Sequence, residues 1–394
     1  MCKKFTIIGL SDSRHVWLPP QALSAIAAGR VFSGGLRHHD IVASLLPEGA
    51  TWIDITVPLE AVFEEYKKYD DIVVFASGDP LFYGFGVTLK REFPDAALEV
   101  FPASNSLQML SHKMLLPYAD MRCVSLTGRP WDAFDQALIR GERLIGVLTD
   151  KVKTPSAIAA RMHEYGYDNY RITIGEELGN EEKERVRSFS VAEAAAAIFA
   201  TPNCMILEQT ESRSRPFGIP EGEFDLLDGR VNMITKAPIR LLTLRELDLP
   251  RRTSFWDIGF CTGSVSIEAR LQFPHLKVTS FEVRPECEDI LARNARRFGS
   301  PGITAVMGDF MEADLTALPA PDAVFIGGHG GKMKEMVGRI SDVLMPGGAI
   351  VFNSVTPESY DMFQEAVAAY GHRVVTSRRV AIDSFNPITI LRAE

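Results

Sequence analysis

F-W-D-I-G-F-C-T-G-S-V-S-I-E-A-R-L, from Phe255 to Leu271, reads as strand, tight turn and helix. Three β-prone residues and Asp257 run into a turn bounded by Gly259 and Gly263, and apolar Val265, Ile267, Ala269 and Leu271 follow. This geometry aims backbone N–H groups and a positive helix end at a small ligand. Gly259 and Gly263 lack Cβ, so the chain can turn sharply and a ligand can approach the backbone. A dinucleotide would want G-x-G-x-x-G, but the three positions hold Gly259, Cys261 and Ser264. Only the first matches, and the pyrophosphate reading is poor.

The alternative is S-adenosylmethionine, whose sulfonium and amino-acid part need an acid beside a glycine turn. D-x-G-x-x-T-G, supplied by Asp257, Gly259, Thr262 and Gly263, resembles motif I of the Rossmann-like (class I) methyltransferases. Phe260 lies inside the turn, and Cys261 stands where that family usually has a middle glycine. A second strand, Lys277 to Phe281, ends in Glu282, where a ribose diol would be held. Pro285 opens a helix that Gly299 closes. A third strand ends in Gly308, Asp309 and Phe310, which offer an acid and an aromatic to an adenine. Strand Asp322–Ile326 breaks at Gly327, Gly328, His329, Gly330 and Gly331. Strand Ala349–Asn353 and two β-rich runs, Val374–Ile382 and Ile388–Leu391, complete a seven-stranded methyltransferase pattern.

The full chain of 394 residues is long enough for two or three domains. Its 46% hydrophobic and 24% charged residues are those of a globular protein. A net charge of −9 argues against a large nucleic-acid-binding face. Cys2, Cys123, Cys204, Cys261 and Cys287 are scattered without a C-x-x-C pair, which suggests reduced cytoplasmic thiols and neither disulfide framework nor metal site. No apolar run reaches the roughly 20 residues of a membrane helix, and Ser11 and Asp12 break the first apolar run too early for a signal peptide. Val191–Ala200 reads as an alanine-rich helix.

The amino-terminal half opens with strand Phe5–Ile8, a turn from Gly9 to Arg14 and helix Pro20–Ala28. Strand Asp71–Ala76 feeds S-G-D-P-L-F-Y-G-F-G, Ser77 to Gly86, a loop suited to wrapping a flat ring. It resembles the G-D-P-x-x-Y-G signature of the tetrapyrrole methylases, a separate (class III) fold that also binds S-adenosylmethionine. Three further stretches carry the resemblance: Phe101 to Gln108, Ser125 to Arg129, and G-G-L-R-H from Gly34 to His38. Ala103 and Asn105 depart from that family's usual residues, and G-L-S-D-S-R replaces its glycine-proline-glycine turn. The resemblance implies cofactor contacts at Gly78, Asp79, Leu81, Phe82, Ser106 and Leu107.

Glu211–Pro220 is polar and then Pro/Gly-rich, a linker between two units. After it, G-I-P-x-x-x-F through M-x-T-K-x-x-I-R is similar to the start of the decarboxylating methyltransferases of cobalamin biosynthesis, as is I-G-G-H-G-G at Ile326–Gly331. The expected architecture is α/β throughout: a tetrapyrrole methylase domain over 1–210 (lobes about 1–118 and 119–210), a linker over 211–222, and a class I domain over 223–394. Two unrelated methyltransferase folds in this order resemble the decarboxylating precorrin-6Y methyltransferases. That implies methylation of carbons 5 and 15 of a precorrin or cobalt-precorrin, loss of the ring C acetate carboxyl, and conversion of S-adenosylmethionine to S-adenosylhomocysteine. It also implies a cytoplasmic homo-oligomer with no nucleic-acid or membrane partner.

A reduced tetrapyrrole has electron-rich meso carbons that attack a sulfonium methyl in line, so proximity and alignment are the protein's main tasks. The conjugated macrocycle is itself an electron sink for loss of carbon dioxide, so no further cofactor is required. An acidic protein must meet the substrate's carboxylates with local positive charge. Candidates are Arg14, Arg37, His38 and His39 in the first unit and Lys236, Arg240 and His329 in the second, with Gly327 and Gly328 giving close access. For each charge, a solvated surface group is the competing account. Thr235, by similarity, lies near the second cofactor, and His329, held among four glycines, could anchor an acetate or move a proton. Two rivals are a cofactor sensor with one degenerate unit and an RNA or small-molecule methyltransferase fused to an unrelated domain.

Overall fold

The structure, a computed structural model, describes residues 3–13, 17–383 and 386–394. Arg14 and Cys2 lie outside the described residues. Packing divides the chain into two compact units. The first comprises 1–129, 143–160 and 169–210, and the second 130–142, 161–168 and 211–394.

The first unit contains two five-stranded sheets. One has the order β3-β2-β4-β1-β5, built from β1 (Lys4–Leu10), β2 (Val31–Gly34), β3 (Thr51–Asp54), β4 (Asp71–Ser77) and β5 (Ala97–Phe101), all parallel. Its central strands β1 and β4 are near-continuous apolar runs because helices cover both faces. The other sheet is mixed, in the order β6-β7-β10-β8-β9, from β6 (Arg122–Ser125), β7 (Leu144–Leu148), β8 (Tyr170–Glu176), β9 (Arg185–Ser190) and β10 (Asn203–Gln209). The alanine-rich helix is shorter than its composition suggests, Val191–Ala196. Ala197 is extended, and Phe199 packs edge-on against Phe189, which ends the helix early.

The second unit carries a seven-stranded sheet, β13-β12-β11-β14-β15-β17-β16. Five strands are parallel: β11 (Ser254–Ile258), β12 (Lys277–Glu282), β13 (Ile303–Met307), β14 (Ala323–Ile326) and β15 (Ala349–Ser354). β16 (Val374–Val380) and β17 (Ile388–Ala393) close the edge antiparallel. The order reverses between β11 and β14, so the carboxyl ends of these strands open a crevice at the switch point. Trp256, Phe281, Val324, Ile350 and Phe363 fill one face of the sheet, and Phe255, Val278, Phe325 and Val351 the other.

Among the described residues no helix is long and apolar enough to cross a membrane.

Candidate active sites

In the second unit the crevice is a cavity of about 350 Å³ lined by Gly259, Glu282, Arg284, Gly308, Asp309, Gly328, His329 and Lys332, among others. The Gly259 and Phe260 amides both donate to the Phe281 carbonyl, and those of Gly327 and Gly328 to the Ile258 carbonyl. These bonds hold three strand ends so tightly that a Cβ on Gly259 would sit 2.9 Å from the Gly328 nitrogen. Cys261 adopts a left-handed φ of 50°, the conformation a glycine would take without cost. Gly263 caps the helix Ser264–Gln272 with φ 73°.

Asp257 is buried behind this turn. Its Oδ2 accepts from Ser266 Oγ at 2.5 Å, while Oδ1 has no partner. Desolvation, assisted by the nearby Glu282 charge, pushes the carboxyl up to about 7. Thr262 Oγ1 is likewise buried and unpartnered. Glu282 is treated oppositely. Burial opposes its charge, but the Arg284 guanidinium at 2.9 and 2.7 Å and the amides of Cys261, Val283 and Arg284 outweigh burial and hold the carboxyl below its ordinary range. Asp309 accepts from Lys332 Nζ at 2.8 Å and from the Met311 amide at 2.9 Å, and it too is held low. His329 Nδ1 accepts from the Gly331 amide at 3.2 Å, which leaves Nε2 for a ligand.

The first unit holds a larger cavity, about 530 Å³, whose lining includes Arg37, His38, Ser77, Gly78, Phe82, Tyr83, Ser106, Met109, Thr149 and Asn203. Three segments converge at its floor. Gly78 donates to the Leu10 carbonyl and accepts from the Ala103 amide, and a Cβ on Gly9 would lie 2.0 Å from the Gly78 oxygen. Asn105 caps the helix Ser106–Met114 in a reciprocal pair with Gln108, which gives that departure from the resembled pattern a role.

Comparison with known proteins follows the same division. A family model described as tetrapyrrole (corrin/porphyrin) methylases matches residues 4–195, and one described as precorrin methyltransferase domain matches residues 228–393. A precorrin-6Y C(5,15)-methyltransferase (decarboxylating) from Sinorhizobium is 34% identical over 382 residues, 96% of this chain and 90% of the relative. The chain belongs to the precorrin-6Y C(5,15)-methyltransferase (decarboxylating) family. Two relatives from Salmonella typhimurium each match less of it. A cobalt-precorrin-6B C(15)-methyltransferase (decarboxylating) is 35% identical over 39% of this chain and 79% of itself, and a cobalt-precorrin-7 C(5)-methyltransferase is 29% identical over 48% and 90%.

Precorrin-6Y methyltransferases take S-adenosylmethionine as methyl donor, and the residues here fit it. In the second unit Asp257 Oδ1 and Thr262 Oγ1 lack partners, and a Cβ on Gly308 or Gly328 would meet only open space. Of the residues singled out from sequence, the cavity brings together Gly259, Glu282, Gly308, Asp309, Gly328 and His329. Asp257, Phe260, Cys261, Thr262 and Gly263 form the buried turn beneath them.

Four expectations are corrected. Arg240 is fully buried, its guanidinium bound to Glu268 at 3.2 Å and to the Thr235 and Ile219 carbonyls, so it holds the linker and is not offered to substrate. Phe310 lines the second cavity, but its ring is packed edge-on to Phe281 at 5.0 Å within the core and only 6% of the residue is exposed, which leaves little of it for stacking on an adenine. His38 reaches the first cavity, but burial, with Arg37 beside it, lowers it to about 4, so it brings no positive charge at neutral pH. Leu107 is a core side chain at 2% exposure and contributes no cavity surface.

Thr235 and Lys236 lie outside the second cavity, Lys236 Nζ bonding the Val231 carbonyl. Asp79 and Leu81 make an Asx turn beside the first cavity, and His39 packs on Trp52. Sequence reasoning missed Ser77 and Arg284. Each had a signal: a hydroxyl at a strand's carboxyl end directly before G-D-P, and a cation two residues beyond the ribose-type acid.

Proposed function

We infer that the chain carries out two methyl transfers to precorrin-6Y and one decarboxylation at two separate centres. The tetrapyrrole methylase unit would methylate carbon 5, and the carboxyl-terminal unit would release carbon dioxide and methylate carbon 15. The functional boundary is assigned to the linker 211–222, between a class III and a class I methyltransferase fold. The observation that carries this reading is a pair of cavities, one at the strand ends of each unit, each lined by the glycine loops of its own fold.

S-adenosylmethionine, when bound, supplies an electrophilic methyl group on a sulfonium. In the second unit Asp257 and Thr262 would receive its amino-acid part, satisfying the two orphaned oxygens. Glu282 would take the ribose hydroxyls, since Arg284 and three amides keep it ionised as an acceptor. Asp309 stands at the next strand end, where it can accept from an adenine amine. His329, whose Nδ1 accepts from the Gly331 amide and whose proton therefore sits on Nε2, would donate a hydrogen bond to an acetate carboxylate of the substrate, and the carbon left when carbon dioxide departs would take its proton from water. The glycines around it let a broad planar substrate approach the backbone. Neither centre needs a strong base, because the macrocycle carbon is already nucleophilic; alignment supplies most of the acceleration.

Incubating the full chain with precorrin-6Y and S-adenosylmethionine, followed by mass spectrometry, tests the reading. The expected product has gained two methyl groups and lost one carboxyl. A product with methyls added but every carboxyl retained would refute the decarboxylating role.

A further inference from the structure

Ser77, the last residue of β4, is exposed and lines the first cavity. Two nitrogens approach its Oγ. Arg37 Nη2 lies at 2.9 Å, and a guanidinium only donates. His38 Nε2 also lies at 2.9 Å, and its role follows from the other ring nitrogen. The Gly35 amide donates to Nδ1 at 3.3 Å, so Nδ1 carries no proton and the neutral ring is protonated at Nε2. A doubly protonated ring would set an N–H against the Gly35 N–H, and burial disfavours that form as well. Both lone pairs of the Ser77 oxygen are therefore taken by donors. Its own proton finds no acceptor among the described residues.

A hydroxyl that accepts two hydrogen bonds, one from a cation, is a strengthened donor. Arg37 is also paired with Asp12 at 3.3 Å, and both line the same cavity. We propose that Ser77 Oγ–H donates to a carboxylate oxygen of a ligand in the first cavity, with His38 and Arg37 as positioning residues that fix the direction of that proton. The same arrangement excludes His38 as a base, because both ring nitrogens are engaged. Two ligands of the proposed function carry carboxylates: the macrocycle, and the amino-acid end of S-adenosylmethionine. The inference rests on the reading of this unit as a methyl-transfer centre.

Full-length Ser77→Ala, Ser77→Thr, His38→Leu and His38→Gln variants test it through two constants. These are the KM of the macrocycle for carbon-5 methylation and the Kd of S-adenosylhomocysteine by calorimetry. Carbon-15 methylation in the same chains reports on folding. Ser77→Ala is expected to raise one constant about tenfold, the loss of one charge-assisted hydrogen bond. A rise in macrocycle KM assigns the carboxylate to the substrate, and a rise in the Kd of one S-adenosylhomocysteine site assigns it to the cofactor. Ser77→Thr should restore most of the loss. His38→Leu should move the same constant and add nothing on top of Ser77→Ala, while His38→Gln, which keeps an N–H within reach, should be milder. Both constants unchanged in Ser77→Ala, or a His38→Leu effect that adds to it, would overturn the proposal. Absence of carbon-5 methylation in the unmodified chain would instead strike the assignment of the unit.

Discussion

Asp257 is buried with one carboxyl oxygen unpartnered, and that burial favours its neutral form. With its carboxyl raised to about 7, the folded cofactor-free protein holds a proton that the unfolded chain releases near pH 4. The sign follows: stability falls as pH rises from about 4 through about 7. Asp257→Asn should therefore raise the melting temperature at pH 8 in scanning calorimetry and leave it nearly unchanged at pH 4. S-adenosylhomocysteine affinity at the second centre should weaken as pH drops below about 7, because binding the ammonium then requires loss of that proton. A binding isotherm flat from pH 8 to pH 5.5 would contradict this account of Asp257.

At the scale of the element, the turns and the helix that braces them decide whether a centre forms. Gly263 at φ 73° opens the helix Ser264–Gln272, and an added Cβ would lie 2.2 Å from Leu291 Cδ1. Gly263→Ala should cost about 1–3 kcal/mol by overpacking and backbone strain, read as a lower denaturation midpoint, and should abolish carbon-15 methylation. The Arg240–Glu268 pair works one layer back. Glu268 accepts the Gly218 and Ile219 amides while Arg240 holds the Ile219 carbonyl, so one buried pair fastens the linker's G-I-P to the helix behind the cofactor turn. Arg240→Met strands the Glu268 charge and should cost about 3–5 kcal/mol, whereas Arg240→Met with Glu268→Leu should recover most of that.

Element order was legible because local signals agree with the fold: Pro285 and Gly299 bracket the helix Glu286–Phe298, and helix Pro20–Ala28 ends at Gly29. Burial of individual polar residues was not legible. Nothing in an isolated I-R dipeptide reveals that Arg240 will meet Glu268 from another helix, or that His38 will lose its charge to burial.

For the whole molecule, a net charge of −9 sets a polyacid substrate against the overall field, so local donors such as the proposed Ser77 hydroxyl are expected to carry its recognition. Two folds with separate glycine loops could be read from G-D-P-L-F-Y-G and D-I-G-F-C-T-G because backbone that closely approaches a ligand constrains sequence strongly. The chemistry distributed between them was legible only through the order of the two units. Two separate centres, as proposed, have a direct consequence: Gly78→Trp, at φ 60° and with a Cβ 2.9 Å from the Asn105 backbone, should silence carbon 5 alone, and Asp257→Ala carbon 15 alone.

Calorimetric titration with S-adenosylhomocysteine at pH 8 counts the centres directly. Two sites per chain are predicted for the unmodified protein, one for Asp257→Ala, one for Gly78→Trp and none for the double variant. A single site in the unmodified chain, or two sites persisting in Asp257→Ala, would contradict the two-centre account.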